Sequence, residues 1–331
     1  MKKEKNNKKK QDLGIYYTPE IVVDFIFDIL NILKNKEDKE KKRWQSRKPQ
    51  VHYPSVVDPA CGEGIFLKKA VESGFTKTDW VFGIDIDASV VKQWPKINLL
   101  KMFKGDKNKL KSHFFHQDGL GKIQWEQHKK EYYGKLKQED IENEIFSTVV
   151  GNPPYGGLGV EEITPELEKA LAEYEIWKIL ASKKRNNNIS SQGLFGTQIE
   201  GKLHKVIKGF AIEILFLERF IQLAKPGGWI AVIVPDGILA NSTNHYVREF
   251  IARNTKVLGI ISLPRDTFTH TGTNAKTSIL FLEKLKEKVT KLEYPVFLAS
   301  INELISENLD IIAQEFKEFV FRGKLLEENN G

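Results

Sequence analysis

Hydrophobic positions repeat at two different spacings along this chain, and the alternation between them predicts an α/β fold. Near the amino-terminal end, apolar side chains recur every three or four residues from Ile21 to Leu33, as on one face of a helix. Thr18 is placed to cap this helix and Pro19 to begin it. The residues that follow, 34–50, are rich in lysine and are expected to form a charged connector.

Short apolar runs predict the strands, because strands that are covered on both faces lack a polar side. The predicted strands are Ser55–Asp58, Trp80–Asp87, a run from near Lys111 to Leu120, Phe146–Val150, Trp229–Val234, Val257–Leu263 and Thr277–Leu282. The predicted helices between them are Leu67–Ser73, Pro165–Lys183, Phe210–Ala224 and Asn244–Arg253, the third stopped by the glycines of Lys225–Gly228. The last two strands lie too close in sequence for a helical crossover, so we expect the final strand to be antiparallel.

This pattern spans residues 14–284, with one segment at each end of it and one insertion within it. Residues 1–13 form a lysine-rich tail. Residues 156–207 form an insertion of mixed composition directly after a predicted strand, for which a lid, a nucleic-acid contact and disordered decoration are alternatives. Residues 285–331 form a carboxyl-terminal extension, with a strand predicted near Tyr294–Ala299 and a helix near Asn302–Phe319.

Composition narrows the class of protein. The 331 residues are enough for one large domain or two ordinary ones, and the hydrophobic content of 40% suits a globular core. No apolar run approaches the length of a membrane span. The charged amino terminus is not followed by an apolar region, so we expect no secretory signal. The single cysteine, Cys61, excludes an internal disulfide and indicates a reducing cytoplasm. The net charge of +7 is compatible with nucleic acid binding but is weak support for it. Histidines and cysteines are not spaced as metal ligands, so no metal site is expected.

A candidate substrate loop, Asn152-Pro153-Pro154-Tyr155, follows the predicted strand Phe146–Val150. Two prolines cannot donate to a sheet ladder and restrict the residues before them, so the loop is stiff. An amide oxygen and a backbone carbonyl held side by side can accept both hydrogens of a planar amino group, while a tyrosine stacks on its ring. This is the chemistry that methylation of an exocyclic base nitrogen requires. An ordinary Asn-Pro turn is the alternative.

A candidate cofactor loop runs from Asp58 to Gly64, between a strand and a helix. It lacks the complete glycine pattern of a dinucleotide site, and its acid disfavours phosphate, so a cationic or amine-bearing ligand is favoured. The next strand ends at Asp85, where nucleoside-binding units place the acid for ribose hydroxyls, although Asp87 lies on the same face and competes. Asp118 either accepts from an adenine amino group or begins an ordinary Asp-Gly turn.

Taken together, these motifs resemble those of gamma-class N6-adenine DNA methyltransferases, in particular the methylation subunit of Type I restriction–modification systems. Tyr17-Thr18-Pro19 resembles the first motif of the family, Asp58–Gly64 its S-adenosylmethionine loop, and Asn152–Tyr155 its catalytic motif. Lys225–Pro235, and Phe268 with Lys276–Ser278, are similar to later motifs. The resemblance implies a Rossmann-like S-adenosylmethionine-dependent methyltransferase fold, with a mostly parallel seven-stranded sheet and an antiparallel last strand.

The resemblance also implies residue roles and partners. The residues implied to line the S-adenosylmethionine site are Tyr17, Thr18, Asp58, Ala60, Cys61, Gly62, Asp85 and Asp118. Asn152 and the Pro153 carbonyl would bind the amine of an adenine flipped out of double-stranded DNA. Tyr155 and Phe268 would stack on that base, and Pro154 completes the loop. The residues after Lys284 are too few for a target-recognition domain, so we expect a specificity chain or a longer protein.

Two other functions compete with DNA adenine methylation. Release-factor glutamine methyltransferases use the same Asn-Pro-Pro-Tyr loop on the same fold. A non-catalytic S-adenosylmethionine-binding scaffold is the second alternative, and the presence of both Asn152 and Tyr155 disfavours it. Cytosine C5 methylation requires a cysteine nucleophile in the catalytic loop, where this chain has none, so that class is excluded.

Overall fold

A mostly parallel sheet organises the described residues of the computed structural model, which are 17–44, 53–122, 145–155, 160, 163–176, 179, 207–269, 275–288 and 293–327. Its eight strands are β1 Val56–Asp58, β2 Val81–Asp85, β3 Phe114–His116, β4 Phe146–Gly151, β5 Ala224–Pro235, β6 Thr255–Ser262, β7 Thr277–Lys284 and β8 Phe297–Ser300. They lie in the order β3-β2-β1-β4-β5-β7-β6-β8. The sequence-based prediction of an α/β fold is therefore confirmed.

The strand count and the place of the antiparallel strand differ from the prediction. Strand β7 is antiparallel to both of its neighbours, β5 and β6, as expected for the strand at Thr277–Leu282. It is not the last strand, however, because β8 from the carboxyl-terminal extension pairs in parallel with β6. The carboxyl-terminal extension thus adds an eighth strand to the seven that were predicted for the sheet.

Helices cover both faces of the sheet. They are α1 Glu20–Trp44, α2 Ile65–Glu72, α3 Ala88–Val91, α4 Asn98–Met102, α5 Lys107–His113, α6 Pro165–Ala172, α7 Ile212–Leu223, α8 Asp236–Ala240, α9 His245–Asn254 and α10 Ser306–Glu327. Alternate side chains of β5 enter two separate hydrophobic clusters: Ile230 and Val232 pack with α7 and α9, whereas Ala231 and Ile233 pack with α1 and α10. This alternation explains why the central strands are apolar on both faces.

Helix α1 is longer than predicted. Its apolar stripe is buried as expected, with Val22, Ile26 and Ile29 all 0% exposed. The helix then continues to Trp44, so residues 34–44 are not a connector. Lysine and glutamate are good helix formers, and the segment therefore extends the helix after its apolar face has ended. The remaining residues of the predicted connector, 45–50, lie outside the described part of the chain.

The third strand is shorter than predicted, because Lys111 belongs to helix α5. The carboxylate of Asp106 caps this helix by accepting from the backbone amides of Asn108 and Lys109 at 2.9 and 3.0 Å. Leu110 and His113 are buried on its inner side. Helical spacing of these two buried residues explains why the lysine-rich run does not form an extended strand.

The glycines after α7 form part of a strand and do not stop a helix. Helix α7 ends at Leu223, and β5 begins at once with Ala224. Gly227 has a φ of 75°, and the pairing of β5 with β4 shifts register at this point. A Cβ on Gly228 would lie 2.8 Å from the Lys225 carbonyl oxygen. The Gly-Gly pair therefore accommodates a bulge in the sheet.

Several predictions fall partly or wholly on residues outside the described ranges. Helix α6 begins at Pro165 as predicted but ends at Ala172, and most of the insertion, including 180–206, is outside the description. The lysine-rich tail, 1–13, is outside it as well. Within the described ranges, no helix is both long enough and apolar enough to cross a bilayer.

Candidate active site

The carboxyl ends of four adjacent strands bring most of the predicted site residues to one edge of the sheet. Strand β1 ends at Asp58, β2 at Asp85 and β4 at Gly151, and these strands are parallel with β1 between the other two. Strand β3 pairs with β2 and leads to Asp118. The order of strands reverses between β1 and β4, and such a switch point is where open α/β sheets bind ligands.

Backbone hydrogen bonds hold the predicted cofactor loop against this edge. The buried carboxylate of Asp58 accepts from the Ala60 amide at 3.0 Å, which closes the first turn of the loop. The Cys61 amide donates to the Ile84 carbonyl of β2 at 2.8 Å. Burial raises the pKa of Asp58 well above its usual value. A cationic ligand would favour the charged form of this carboxylate. The position of Asp58 therefore fits the prediction that the loop binds a cationic or amine-bearing ligand.

Two glycines make the loop geometry possible. Gly62 and Gly64 have φ values of 54° and 79°, in the left-handed region that glycine adopts most readily. A Cβ on Gly62 would meet no atom within 4 Å, so this side of the loop is open to a ligand. A Cβ on Gly64 would lie 2.7 Å from the Leu99 side chain, so this glycine packs the loop onto the protein.

Cys61 lies on the protein side of the loop. Its side chain is 4% exposed, and burial raises the pKa of its thiol. A Cβ on Gly83 of β2 would lie 2.9 Å from the Cys61 sulfur, which shows how closely the two segments pack. The thiol therefore acts as a small apolar group in this position.

Asp85 braces the glycine turn. Its two carboxylate oxygens accept from the backbone amides of Gly62 at 2.7 Å and Asp87 at 2.8 Å. Each oxygen retains a further lone pair, so the group can still accept from ribose hydroxyls. Burial raises the pKa of Asp85. The competing carboxylate, Asp87, caps α3 by accepting from the Ser89 amide at 2.7 Å, and this favours Asp85 as the ligand-binding acid.

Asp118 forms the turn that was one of the two alternatives for its sequence, whereas its role towards an adenine amino group stays a prediction. Its carboxylate accepts from the Leu120 amide at 2.9 Å, and its carbonyl accepts from the Gly121 amide at 3.1 Å, so the segment is a turn. Burial raises the pKa of this carboxyl, and the positive charge of Arg219 opposes the rise. The same residue is thus a turn former and a half-buried acid at the carboxyl end of β3.

The predicted substrate loop lies directly beside the cofactor loop. Gly151 is so close to Asp58 that a Cβ on the glycine would lie 2.6 Å from the carboxylate oxygen. The side-chain amide nitrogen of Asn152 donates to the hydroxyl of Thr18 at 3.2 Å. The hydroxyl of the neighbouring Tyr17 donates to Glu63 of the cofactor loop at 3.3 Å. Residues 17–18 therefore contact both loops, which supports their prediction as site residues.

The two predicted stacking residues contact each other. Tyr155 and Phe268 are 1% and 0% exposed. Their ring centroids are 6.4 Å apart, and the rings meet edge to face at 82°. Pro153 is buried beside them, and Pro154 is half-buried. Both rings are buried, so the surroundings of Tyr155 would have to rearrange before a base could stack on it.

Four residues near the site were missed by sequence reasoning. Ile86 is 59% exposed directly after Asp85 and offers an apolar surface beside the carboxylates. The indole nitrogen of Trp94 donates to the Gly62 carbonyl at 2.9 Å. Glu218 and Arg219 lie side by side in α7 and are 1% and 3% exposed. Two adjacent charged residues in the middle of a largely apolar helix are the sequence signal for this pair.

The donors and acceptors at this edge suit a nucleoside with a positive charge. Three buried or half-buried carboxylates, Asp58, Asp85 and Asp118, follow three adjacent strands, and the open side of Gly62 faces no protein atom. Carboxylates accept hydrogen bonds from hydroxyls and amines and attract a sulfonium or ammonium group. Among the described residues, no group of three or more His, Cys, Asp or Glu side chains is placed to hold a metal ion.

The fold and this edge define the class of protein. A solved class I S-adenosylmethionine-dependent methyltransferase from Listeria monocytogenes superposes with a TM-score of 0.52 at 22% identity, over 91% of this chain and 70% of the other. A modification subunit of a type I restriction enzyme from Vibrio vulnificus YJ016 superposes with a TM-score of 0.51 at 18% identity, over 94% and 54%. The predicted Rossmann-like S-adenosylmethionine-dependent methyltransferase fold is therefore confirmed.

Residues 2–322 match the N-6 DNA Methylase family, and the chain belongs to that family. Fold and family together make S-adenosylmethionine the cofactor. The Type II restriction enzyme and methyltransferase RM.Eco57I from Escherichia coli is 27% identical over 159 residues, which are 45% of this chain. The Defense against restriction protein B of Escherichia phage P1 is 26% identical over 142 residues, which are 43% of this chain. The matches cover only 13% of the length of RM.Eco57I and 5% of the length of the phage protein, so this chain corresponds to a small part of each.

Proposed function

We propose that this chain transfers a methyl group from S-adenosylmethionine to the exocyclic nitrogen of adenine in DNA, within a restriction–modification system. Membership of the N-6 DNA Methylase family supports DNA as the substrate. The observation that carries the proposal is the contact between the two loops, in which Gly151 approaches Asp58 so closely that only a glycine fits. A methyl donor bound at one loop and an amine bound at the other would be neighbours.

The carboxylates at the strand ends would hold the cofactor. Asp85 would accept from its ribose hydroxyls and Asp118 from its adenine amine, while Asp58 lies where a positive charge is favoured. Tyr17, Thr18, Ala60, Cys61 and Gly62 would form the wall of this site. When bound, S-adenosylmethionine supplies an electrophilic methyl group on a sulfonium sulfur.

Asn152 and the Pro153 carbonyl would prepare the target amine. The lone pair of an adenine amine is delocalised into the ring, which makes the nitrogen a poor nucleophile. Accepting both hydrogens favours a pyramidal nitrogen and stabilises the positive charge that develops on it. The amide nitrogen of Asn152 donates to Thr18, so the amide carbonyl is the atom that would accept. No covalent bond between enzyme and substrate is required.

Tyr155 and Phe268 would receive the flipped base. Their edge-to-face contact buries both rings, and their separation would create a slot with an aromatic face on one side and an aromatic edge on the other. Stacking on an aromatic ring contributes about 1–3 kcal/mol per base. That contribution would offset part of the cost of extracting the adenine from double-stranded DNA.

Sequence recognition would come from another chain or from further parts of a longer protein. The solved structure from Vibrio vulnificus is described as a subunit, which supports a multi-chain assembly of this kind. A cytoplasmic location is the natural setting for such an enzyme. On this proposal, the isolated chain binds DNA weakly, with strong salt dependence and little sequence preference.

The test is the transfer of labelled methyl groups from S-adenosylmethionine to DNA, followed by digestion and identification of the labelled nucleoside. The full-length protein is assayed with the specificity chain encoded beside it, if there is one. The proposal requires label on N6-methyladenine. Label on the exocyclic amine of cytosine, or on a glutamine side chain of an added protein, would replace adenine as the substrate.

A further inference from the structure

Two adjacent charged residues of α7, Glu218 and Arg219, are buried beside the loop that carries Asp118. Their side chains are 1% and 3% exposed, while the rest of the inner face of the helix is apolar. Charged residues are seldom this buried unless their hydrogen bonds are satisfied. The partners of this pair therefore indicate what the pair does.

Arg219 fixes the backbone of the Asp118 turn. Its Nε donates to the Gly119 carbonyl at 3.1 Å, and a terminal nitrogen donates to the Gly121 carbonyl at 2.7 Å. The planar guanidinium thus bridges two carbonyls that flank Leu120, and the Leu120 amide is the donor to the Asp118 carboxylate at 2.9 Å. Arg219 is thus connected to that carboxylate through the backbone of residues 119–121.

Glu218 connects the same helix to a segment of the insertion, residues 174–176. Its two oxygens accept from the backbone amides of Glu175 at 2.5 Å and Ile176 at 2.9 Å. The hydroxyl of Tyr174 donates to the Leu120 carbonyl at 2.7 Å and so joins the segment to the Asp118 turn. Gln222, one helical turn further, bonds to both Glu218 and Arg219.

We propose that Arg219 is a positioning residue for cofactor recognition, which holds the turn 118–121 so that the Asp118 carboxylate meets the exocyclic amine of the cofactor adenine. The inference rests on the role proposed for Asp118. It goes beyond that role, because it assigns the discrimination of the amine to a residue that does not touch the cofactor. A carboxylate held in a fixed position binds a ligand with the amino group more tightly than an analogue with hydrogen in its place. A carboxylate without a fixed position does not.

The charge of Arg219 supports this role independently of its hydrogen bonds. Asp118 is half-buried, and its partial burial raises the pKa of the carboxyl and so disfavours the ionised form. The nearby positive charge of Arg219 favours the ionised form. Only the ionised carboxylate accepts from an amine with both oxygens. The arginine thus contributes both the orientation and the charge state that the recognition of an amine requires.

The experiment compares the binding of two ligands by titration calorimetry, without DNA. One ligand is S-adenosylhomocysteine, and the other is its analogue with hydrogen in place of the adenine amino group. We expect Arg219→Met to raise the Kd of S-adenosylhomocysteine about tenfold and that of the analogue less than about twofold. We expect Arg219→Lys to give an intermediate rise, because an ammonium group retains the charge but cannot bridge both carbonyls.

Arg248→Met is the matched control. Arg248 also donates to two backbone carbonyls, those of Ile238 and Asn241 at 3.1 and 2.8 Å, but it contacts neither Asp118 nor the cofactor loop. Its replacement should leave both Kd values unchanged. If Arg219→Met does not fold, Arg219→Lys carries the test, because it keeps the buried charge.

The outcomes separate this inference from the assignments on which it rests. Equal weakening of both ligands by the Arg219 variants would show a merely structural role, and unchanged affinities would show no role, so either result overturns the inference. Asp118→Ala, which leaves no side-chain acceptor, should abolish the preference for S-adenosylhomocysteine over the analogue. If the preference persists in this variant, Asp118 does not recognise the cofactor amine and this inference is overturned. The choice of DNA as substrate is unaffected by that result.

Discussion

The side-chain amide nitrogen of Asn152 donates to the hydroxyl of Thr18 at 3.2 Å, across 134 positions of sequence. Thr18 precedes α1, and Asn152 follows β4. The bond therefore ties the residue before α1, the longest of the described helices, to the loop that is proposed to bind the substrate amine. It also sets which atom of the amide donates and leaves the carbonyl as the acceptor for a substrate.

Replacement of Thr18 should impair turnover more than cofactor binding. Thr18→Val removes the hydroxyl and keeps the shape, so the Asn152 amide loses the partner that orients it. A hydrogen bond of this kind contributes about 1 kcal/mol, and we expect kcat for methyl transfer to fall by about five- to tenfold. Thr18→Ser should retain most of the activity. A Thr18→Val enzyme with full kcat would show that the bond is not needed.

Asp85 should be the acid that matters for cofactor affinity. Asp85→Ala removes acceptors for the ribose and also the bonds that brace the Gly62 turn, so we expect binding of S-adenosylhomocysteine to weaken by about 1–3 kcal/mol. Asp87→Asn is the control, since asparagine caps a helix as well as aspartate does. The affinities are measured by calorimetry. If Asp87→Asn weakened the binding of S-adenosylhomocysteine more than Asp85→Ala does, Asp87 would be the residue that binds the ribose.

Gly119 should be intolerant of any side chain. A Cβ at this position would lie 1.8 Å from the Pro59 carbonyl oxygen, so Gly119→Ala forces the Asp118 turn away from the cofactor loop. Overpacking of this kind costs about 1–3 kcal/mol, and we expect Tm to fall accordingly. At Gly121 the nearest atom is 3.5 Å away, and Gly121→Ala should be much milder. Equal effects of the two substitutions in thermal unfolding would contradict the described contact.

The stability of the protein should depend on pH through Glu218. Burial raises the pKa of Glu218 to about 7 from a usual value of 4.5. Between these values the folded state keeps a proton that the unfolded state has lost, so stability falls as pH rises from about 4.5 to about 7. Below 4.5 this contribution is fully present.

Glu218→Gln should remove that part of the pH dependence. The glutamine carries no titrating group, so the decrease in Tm between pH 5 and pH 7.5 should be smaller in the variant than in the wild type. The pKa values of Asp58, Asp85 and Asp118 are also raised, but these residues are present in both proteins, so the difference between the two curves reports Glu218 alone. Parallel curves would show that Glu218 does not titrate in this range.

The local spacing of apolar and polar residues predicted most strands of the sheet and the positions of the motifs. The spacing of apolar residues from Ile21 to Leu33 identified a buried helix face, because helical periodicity is a property of the sequence itself. The apolar runs at β4 and β5 identified central strands for the same reason. The loop from Asn152 to Tyr155 could be placed at a strand end, because prolines terminate a ladder.

The features that were missed depend on distant partners. The bulge at Gly227 arises from the pairing of β5 with β4, which local sequence does not specify. The continuation of α1 to Trp44 has no apolar face of its own to mark it. Arg219 and Glu218 find their partners in the Asp118 turn and in residues 175–176, so their burial could not be derived from α7 alone.

The central claim is that Asn152 acts on the substrate amine, and a single comparison tests it most directly. Asn152→Ala is assayed for labelled methyl transfer to adenine in DNA, together with calorimetric binding of S-adenosylhomocysteine. Asn308→Ala, in the first turn of α10, is the control, because its amide donates only to the exposed Glu303 carbonyl. We expect kcat of Asn152→Ala to fall by at least about 100-fold, with its cofactor Kd within about twofold of the wild type. Retention of full transfer activity by Asn152→Ala would contradict the proposed mechanism.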